Sequence, residues 1–208
     1  MNMKLNYSAG TAVKYLFLSS LLSCLLVAST WAHAAQSPVD MLQNASDQML
    51  SELGHTKSRN DQALYALIKR VLLPHVELNL MSEMVVGKYW ASATSTQKSQ
   101  FITEFTHFVT RTYSNALSSY SNEKVRFFPI RGGITGDRVQ VNSAIDQANG
   151  QSVNVSYRLV QAGGVWKIYD FSVEGVSIVE NYRSQFADTL RTQGLEGLLA
   201  KLNQQNSK

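Results

Sequence analysis

The chain has 208 residues, 44% of them hydrophobic and 16% charged, with a formal net charge of +4. That is enough material for one domain with a real core. The basic residues are scattered, with no run longer than Lys69-Arg70, which excludes a nucleic-acid binder built on a basic patch.

At the N-terminus, Lys4 and Lys14 precede an almost wholly apolar stretch, Tyr15 to Ala28, and Ala32-His33-Ala34 supplies a small-x-small cleavage pattern. These features define a secretory signal peptide, and the apolar run is short for a membrane span. The cut is placed after Ala34, with Ala35 as the fallback, leaving residues 35–208 as a single domain. Leu21-Leu22-Ser23-Cys24 loosely resembles a lipoprotein processing site. Against that reading, Leu25, Leu26 and Val27 continue the apolar run beyond the cysteine, and the bulky Leu22 stands where a smaller residue is usual. Cys24 is the only cysteine, so cleavage leaves a chain with no disulfide, no thiol nucleophile and no zinc-thiolate site. Cleavage also removes Lys4 and Lys14, two of the four net positive charges.

Helices come next. Ser37 caps the first, Pro38 fits its opening position, and Gly54 marks its end. Met41, Ala45, Met49 and Leu53 give it an apolar stripe. A second helix is predicted from Ser58, with Leu64, Leu67, Ile68, Val71 and Leu72 at the helical period, ending at Pro74. A third, shorter helix runs from about Val76 to Gly87. Thr94 and Gln97 form a capping-box pair for the longest helix. Phe101, Phe105, Phe108, Thr112 and Ala116 mark one of its faces, widened by Ile102, Val109, Tyr113 and Leu117.

From Lys124 the period changes to two. Val125 to Phe128 is a short strand ending at Pro129. Arg138 to Ile145 alternates through Val139, Val141, Ser143 and Ile145. Asn149-Gly150 is the strongest hairpin signal in the chain. Val153, Val155, Tyr157 and Leu159 then share one face, opposite Asn154, Ser156 and Arg158. Gly163-Gly164 makes the next turn, and Val165 to Val173 is a fourth strand, bulky on both faces. Ser177 to Thr192 returns to the helical period through Ile178, Tyr182, Phe186 and Leu190. Gly194 breaks it before a last short helix carrying Leu195, Leu198, Leu199 and Leu202. The pattern predicts an α+β domain: a four-stranded antiparallel meander with helices over one face.

Catalytic and metal motifs are missing. His55, His75 and His107 lie at no metal-ligand spacing with one another, and there is no nucleophile elbow, phosphate loop or dinucleotide fingerprint. Asp170, within the aromatic fourth strand, is the best single candidate for a base, since an apolar cup raises a carboxyl pKa. The plainer reading pairs it with a nearby Arg at a strand edge or turns it to water. For the aromatic helix and the sheet, a closed core and a core held open around an apolar cavity are both compatible with the periodicity.

Two stretches point further. One is Val85-Val86-Gly87-Lys88-Tyr89-Trp90, followed by the capped aromatic helix ending Arg111-Thr112-Tyr113-Ser114-Asn115-Ala116-Leu117. The other runs from Trp166-Lys167-Ile168-Tyr169-Asp170-Phe171 through Gly175-Val176-Ser177 to Asn181-Tyr182-Arg183-Ser184-Gln185-Phe186. Together, in this order and spacing, they resemble the MlaC family, also called the toluene-tolerance family, over nearly the whole of residues 35–208. The resemblance implies an NTF2-like sheet-and-helix cup that holds phospholipid acyl chains with the headgroup near its mouth. It implies a periplasmic shuttle in Gram-negative bacteria between an outer-membrane complex of MlaA with porins and an inner-membrane ABC transporter complex containing MlaD. It implies no enzyme activity and no cofactor, the bound phospholipid being cargo, and the chain is expected to be a monomer.

On that reading Phe101, Phe105, Phe108, Val141, Val155, Tyr157, Trp166, Ile168, Val173 and Tyr182 are the candidate cavity residues. Each of them could equally be ordinary core. Tyr89 and Trp90 either gate the mouth or anchor the Gly87 turn. Arg183 either meets a headgroup phosphate or an acidic partner, or pairs along its helix with Glu180 or Asp188. The alternatives to a carrier are an NTF2-like enzyme using Asp170 and a periplasmic protein-binding adaptor.

Overall fold

The computed structural model describes residues 36–56, 60–118, 123–147 and 150–207, with 114–118 described by backbone alone. The N-terminal segment with its cleavage pattern, Ser58, Asn149 and the side chains of Ala116 and Leu117 lie outside that description.

Helix α1 spans Pro38–His55. The Ser37 hydroxyl accepts the Asp40 amide at 3.1 Å, satisfying one orphan donor of the first turn. The helix runs one residue past Gly54 before Thr56 closes it. Helix α2, Asp61–Val71, is capped by Asn60, whose side chain accepts from the Ala63 amide at 2.9 Å. Asn60 therefore does the work expected of Ser58. Pro74 lies in a 3-10 turn, Leu73–His75, and α3 follows over Leu78–Val86. Val76 does not open α3. It forms a parallel bridge to Ile168, whose carbonyl accepts the Glu77 amide at 2.8 Å. Gly87, at φ 63°, ends α3 in a conformation open to glycine.

Helix α4 spans Ser95–Ser118. Its capping box is reciprocal: the Thr94 amide donates to Gln97 Oε1 at 2.9 Å, and the Gln97 amide donates to Thr94 Oγ1 at 3.2 Å. Thr94→Ala is expected to cost about 1 kcal/mol of stability, measured by urea unfolding.

The sheet has five strands in the order β1-β2-β3-β4-β5, with every pairing antiparallel. They are Lys124–Phe127, Arg138–Asp146, Ser152–Ala162, Val165–Val173 and Val176–Ser177. The four-stranded expectation missed β5, which at two residues is too short to show a period. One irregularity shapes the sheet. Arg158 pairs with Asp170, but Leu159 pairs with Ile168, so Tyr169 is an extra residue on β4. Such a bulge bends and twists its strand.

Helix α5, Ile178–Asn206, is interrupted at Gly194 (φ 67°, ψ −170°), the expected break. Its far end is tied to α4: the Arg111 guanidinium donates to the carbonyls of Gln205 and Asn206 at 3.0 and 3.1 Å. Those carbonyls belong to the last helical turn and have no partner inside the helix.

The apolar residues divide into three packed clusters. The largest joins α3, α4 and α5 around Val85, Trp90, Phe101, Phe105, Tyr182 and Phe186. A second joins α1 to α2 through Met49, Leu53, Leu64, Leu67 and Val71. The third seats Met41 and Leu42 of α1 on Val141, Leu159 and Trp166 of the sheet. Each fully buried Leu, Val or Phe in these clusters contributes roughly 1.5–3 kcal/mol by leaving water.

Candidate functional site

The alternation along β2, β3 and β4 gives the sheet two chemically different faces. Arg126, Asn142, Asp146, Ser152 and Ser156 share the outer face and bond to one another. Arg126 Nε donates to Asp146 at 2.6 Å, and Ser152 and Ser156 donate to Asp146 and Asn142 at 2.6 and 2.8 Å. The Arg126 and Ser152 bonds hold the Asp146 carboxyl at a pKa of about 2.

The inner face is apolar along its whole length but packed over only part of it. Where β1 ends and β2 begins, Met41 and Leu42 of α1 close it, and Val141 and Leu159 are almost fully buried beneath them. Toward the β2–β3 hairpin, Val125, Ile145, Val153 and Val173 are half-buried. Among the described residues these four and the buried Val155 belong to none of the three packed clusters. The register sets them side by side: Val125 opposite Ile145, Ile145 opposite Val153, and Val155 opposite Val173. α4 meets this face through Tyr113, whose ring lies 6.4 Å from that of Phe171 on β4. The result is a partly exposed apolar face with an aromatic contact to α4 at its side.

The sequence-derived candidates therefore separate. Val155, Tyr157 and Val173 come together on the inner wall, whereas Phe108 packs on the helical core, its ring 5.5 Å from Tyr182 and 6.2 Å from Phe186. Val141, Trp166 and Ile168 lie at the closed end, the first two buried. Phe101, Phe105 and Tyr182 are in the closed helical core. The Phe101 and Phe105 rings stack at 5.3 Å, and Tyr182 meets Phe105 edge-on at 5.3 Å. Trp90 belongs to the same core, edge-on to Phe101 at 6.1 Å, so it anchors the Gly87 turn. The wall residues Val125, Ile145, Val153 and Phe171 were missed in the sequence reading. The period-two pattern places the first three on the inner face, but only strand register shows which of its residues escape packing.

The polar atoms on this wall are phenols and one serine. Burial pushes the Tyr157 pKa up, partly offset by a bond from the buried Ser143 hydroxyl. Burial likewise raises Tyr182, against the pull of its bonds to Thr112 and Tyr113. All stay neutral at physiological pH, so the wall carries no charge of its own.

Asp170 is fully buried, and both its oxygens are engaged. Oδ2 accepts from Arg158 Nε at 2.9 Å, from Arg158 Nη2, and from Ser177 Oγ at 2.7 Å. Oδ1 accepts the Val179 amide at 3.1 Å. The carboxylate thus joins the sheet to the first turn of α5, where helix dipole and orphan amides favour an anion. Burial works against the Arg158 charge, but the bond and charge of Asp170 outweigh it, so the Arg158 pKa is raised. The plainer reading of Asp170 holds: it is paired with Arg158, on a stretch of β4 that β5 does not reach, and it is sealed from water.

Arg183 is exposed on α5. Neither acid expected to pair with it does so. Glu180 lies 3.7 Å from Arg158, and Asp188 pairs with Arg191 at 2.6 Å. Two surface clefts, of about 280 and 240 Å³, lie away from the wall, one beside Gly194 and one beside Trp166. Each falls below the roughly 300–1,000 Å³ of ordinary small-molecule pockets and is too small for a two-chain lipid. Among the described residues no group of three or more His, Cys, Asp or Glu is placed to hold a metal.

The fold and sequence have clear relatives. The solved phospholipid-binding protein from Ralstonia solanacearum, in complex with a phospholipid, superposes with a TM-score of 0.78 at 27% identity, covering 83% of this chain and 98% of that one. The intermembrane phospholipid transport system binding protein MlaC of Haemophilus influenzae is 29% identical over 200 residues, 93% of each chain. The toluene tolerance protein ttg2D of Pseudomonas putida is 32% identical over 165 residues, 77% of this chain and 76% of its own. The MlaC protein family matches residues 43–204. With its helices folded over one apolar face of a meander sheet, and with that match across most of its length, the chain belongs to the MlaC family.

Proposed function

We propose that this protein carries phospholipid between membranes, with acyl chains against the inner wall of the sheet and the headgroup outside. The observation that carries the reading is the half-buried apolar face of Val125, Ile145, Val153 and Val173, with Tyr113 of α4 against Phe171 on the same sheet face, in a fold whose Ralstonia relative was solved with a phospholipid bound. Wall and cargo match in chemistry. Burying a methylene contributes roughly 0.8 kcal/mol, so a two-chain lipid of about thirty methylenes gains on the order of 20 kcal/mol gross. That sits near the ceiling for non-covalent affinity, so the wall needs no polar contacts to hold its cargo.

The same lipid gains nearly as much in a bilayer, and net transfer is close to balanced. Release into water is slow, so handover takes place on docked partners that accept the chains directly. The resemblance names those partners as the MlaD-containing transporter of the inner membrane and the MlaA–porin complex of the outer membrane. On this reading the protein works as a monomer in the periplasm, after release from its signal peptide, and serves outer-membrane lipid asymmetry. Arg183, exposed and held by neither Glu180 nor Asp188, is the candidate contact for a headgroup phosphate or an acidic partner. No reaction is assigned: the one candidate base, Asp170, has both oxygens occupied and its charge met by Arg158.

Native mass spectrometry of the mature protein purified from the periplasm tests the reading. The expected result is an added mass matching phospholipid that leaves on denaturation. A clean apo mass, with no uptake from added vesicles, would count decisively against a carrier and favour a protein-binding adaptor.

A further inference from the structure

The inner face is closed at one end and half-buried toward the other, and the change lies within single strands. On β3, Val153 is half-buried at the hairpin end, Val155 and Tyr157 follow, and Leu159 is fully buried in the closed half. On β2, Ile145 is half-buried and Val141 is sealed. The bulge at Tyr169 falls at the same level of β4. Beyond it the face is stoppered by Met41 and Leu42 of α1, 4% and 3% exposed, seated against Trp166.

We infer that this stopper sets the length of acyl chain the protein accepts. The inference rests on the carrier reading above. From Val153 to Leu159 the strand runs roughly 20 Å, at about 3.3 Å per residue, so a chain laid along β3 from the hairpin end meets the stopper before it reaches the far edge. The stopper is rigid. Met41 and Leu42 sit in the first turns of α1, held in place by the Ser37 cap and by Pro38 at the opening position. Farther along the same stripe α1 packs into the separate cluster with α2, through Met49 and Leu53. Methylenes past the stopper have no apolar room to enter and must protrude at the mouth, losing their burial.

The test is competition from vesicles of phosphatidylethanolamines of graded acyl length, read by mass spectrometry of the lipid that each purified protein takes up. Leu42→Ala shortens the stopper, and the added space can be filled by a chain end. It is expected to raise the ratio of long to short chains taken up by about fourfold to fifteenfold, as one or two further buried methylenes dictate. Val155→Phe projects a ring into the half toward the hairpin and is expected to shift the ratio the other way. It keeps the test open should Leu42→Ala fold poorly. Lipid bound at the wild-type length distribution in both variants would overturn the stopper and leave the carrier standing. A wild-type protein that takes up no lipid would overturn both.

Discussion

Asp170→Asn is expected to be the most destabilising conservative substitution in the protein, at about 2–3 kcal/mol. The carboxylate is fully buried and meets Arg158, Ser177 and the Val179 amide at once. An amide of the same shape keeps some of these contacts but leaves the guanidinium without its counter-charge. Breaking a fully buried pair costs about 3–5 kcal/mol. Arg158 is 32% exposed, so water recovers part of its charge and the lower figure applies. For a domain of this size the shift in melting temperature is about 5–10 °C, followed by circular dichroism. Replacing both partners, with Arg158→Met beside Asp170→Asn, is expected to recover part of the loss, because no lone charge is then left. The lipid content of the folded fraction is expected to stay at the wild-type level. A melting temperature within a degree of wild type would remove the pair from the account of what joins the sheet to α5.

Val155→Glu is expected to abolish most of the lipid cargo, at least tenfold by mass spectrometry. Val155 stands between Ser143 and Val173 on the inner wall, and no cation faces it from either neighbouring strand position. An ionised carboxylate there must keep water, and water in the groove removes the gain from burying methylenes. Val155→Ala keeps the wall apolar and is expected to retain cargo. Val155 itself is 5% exposed, so the less buried Val173→Glu is the parallel variant should the first one fold poorly. Wild-type lipid content in a folded Val155→Glu protein would displace the cargo from this wall.

Much of this arrangement is legible in the sequence. The Thr94–Gln97 box, the Ser37 cap, the alternating strands and the Gly194 break are local devices, each written within a few residues, and all are present. What resists reading is pairing. Phe101, Phe105 and Phe108 recur at one helical period and look alike in sequence. The first two are buried among α5 and Trp90, while Phe108 meets Tyr182 and Phe186 of the same helix and stays half-buried. Periodicity assigns a face to each residue but not the neighbour across from it. The same limit hid the half-buried end of the sheet, because Val153 and Leu159 follow one alternation and differ only in what α1 happens to cover. That Arg158 is the partner of Asp170 depends on the register of β3 against β4, which a bulge alters.

That bulge also settles why β4 reads as bulky on both sides. Before Tyr169 the residues that look inward are even-numbered, Trp166 and Ile168; after it they are odd-numbered, Phe171 and Val173. The strand carries a phase slip, and its two halves obey opposite parities. Composition alone therefore does not define the lining. Taking out Tyr169 alone would make the strand regular, with Ile168 still opposite Leu159 and Trp166 still inward. Taking out Ile168 as well would reverse the parity, set Lys167 opposite Leu159 and put an ammonium group against the apolar seat of Met41 and Leu42. The spacing of this strand is thus a determinant of what the protein can hold, as strict as the identity of any side chain on it.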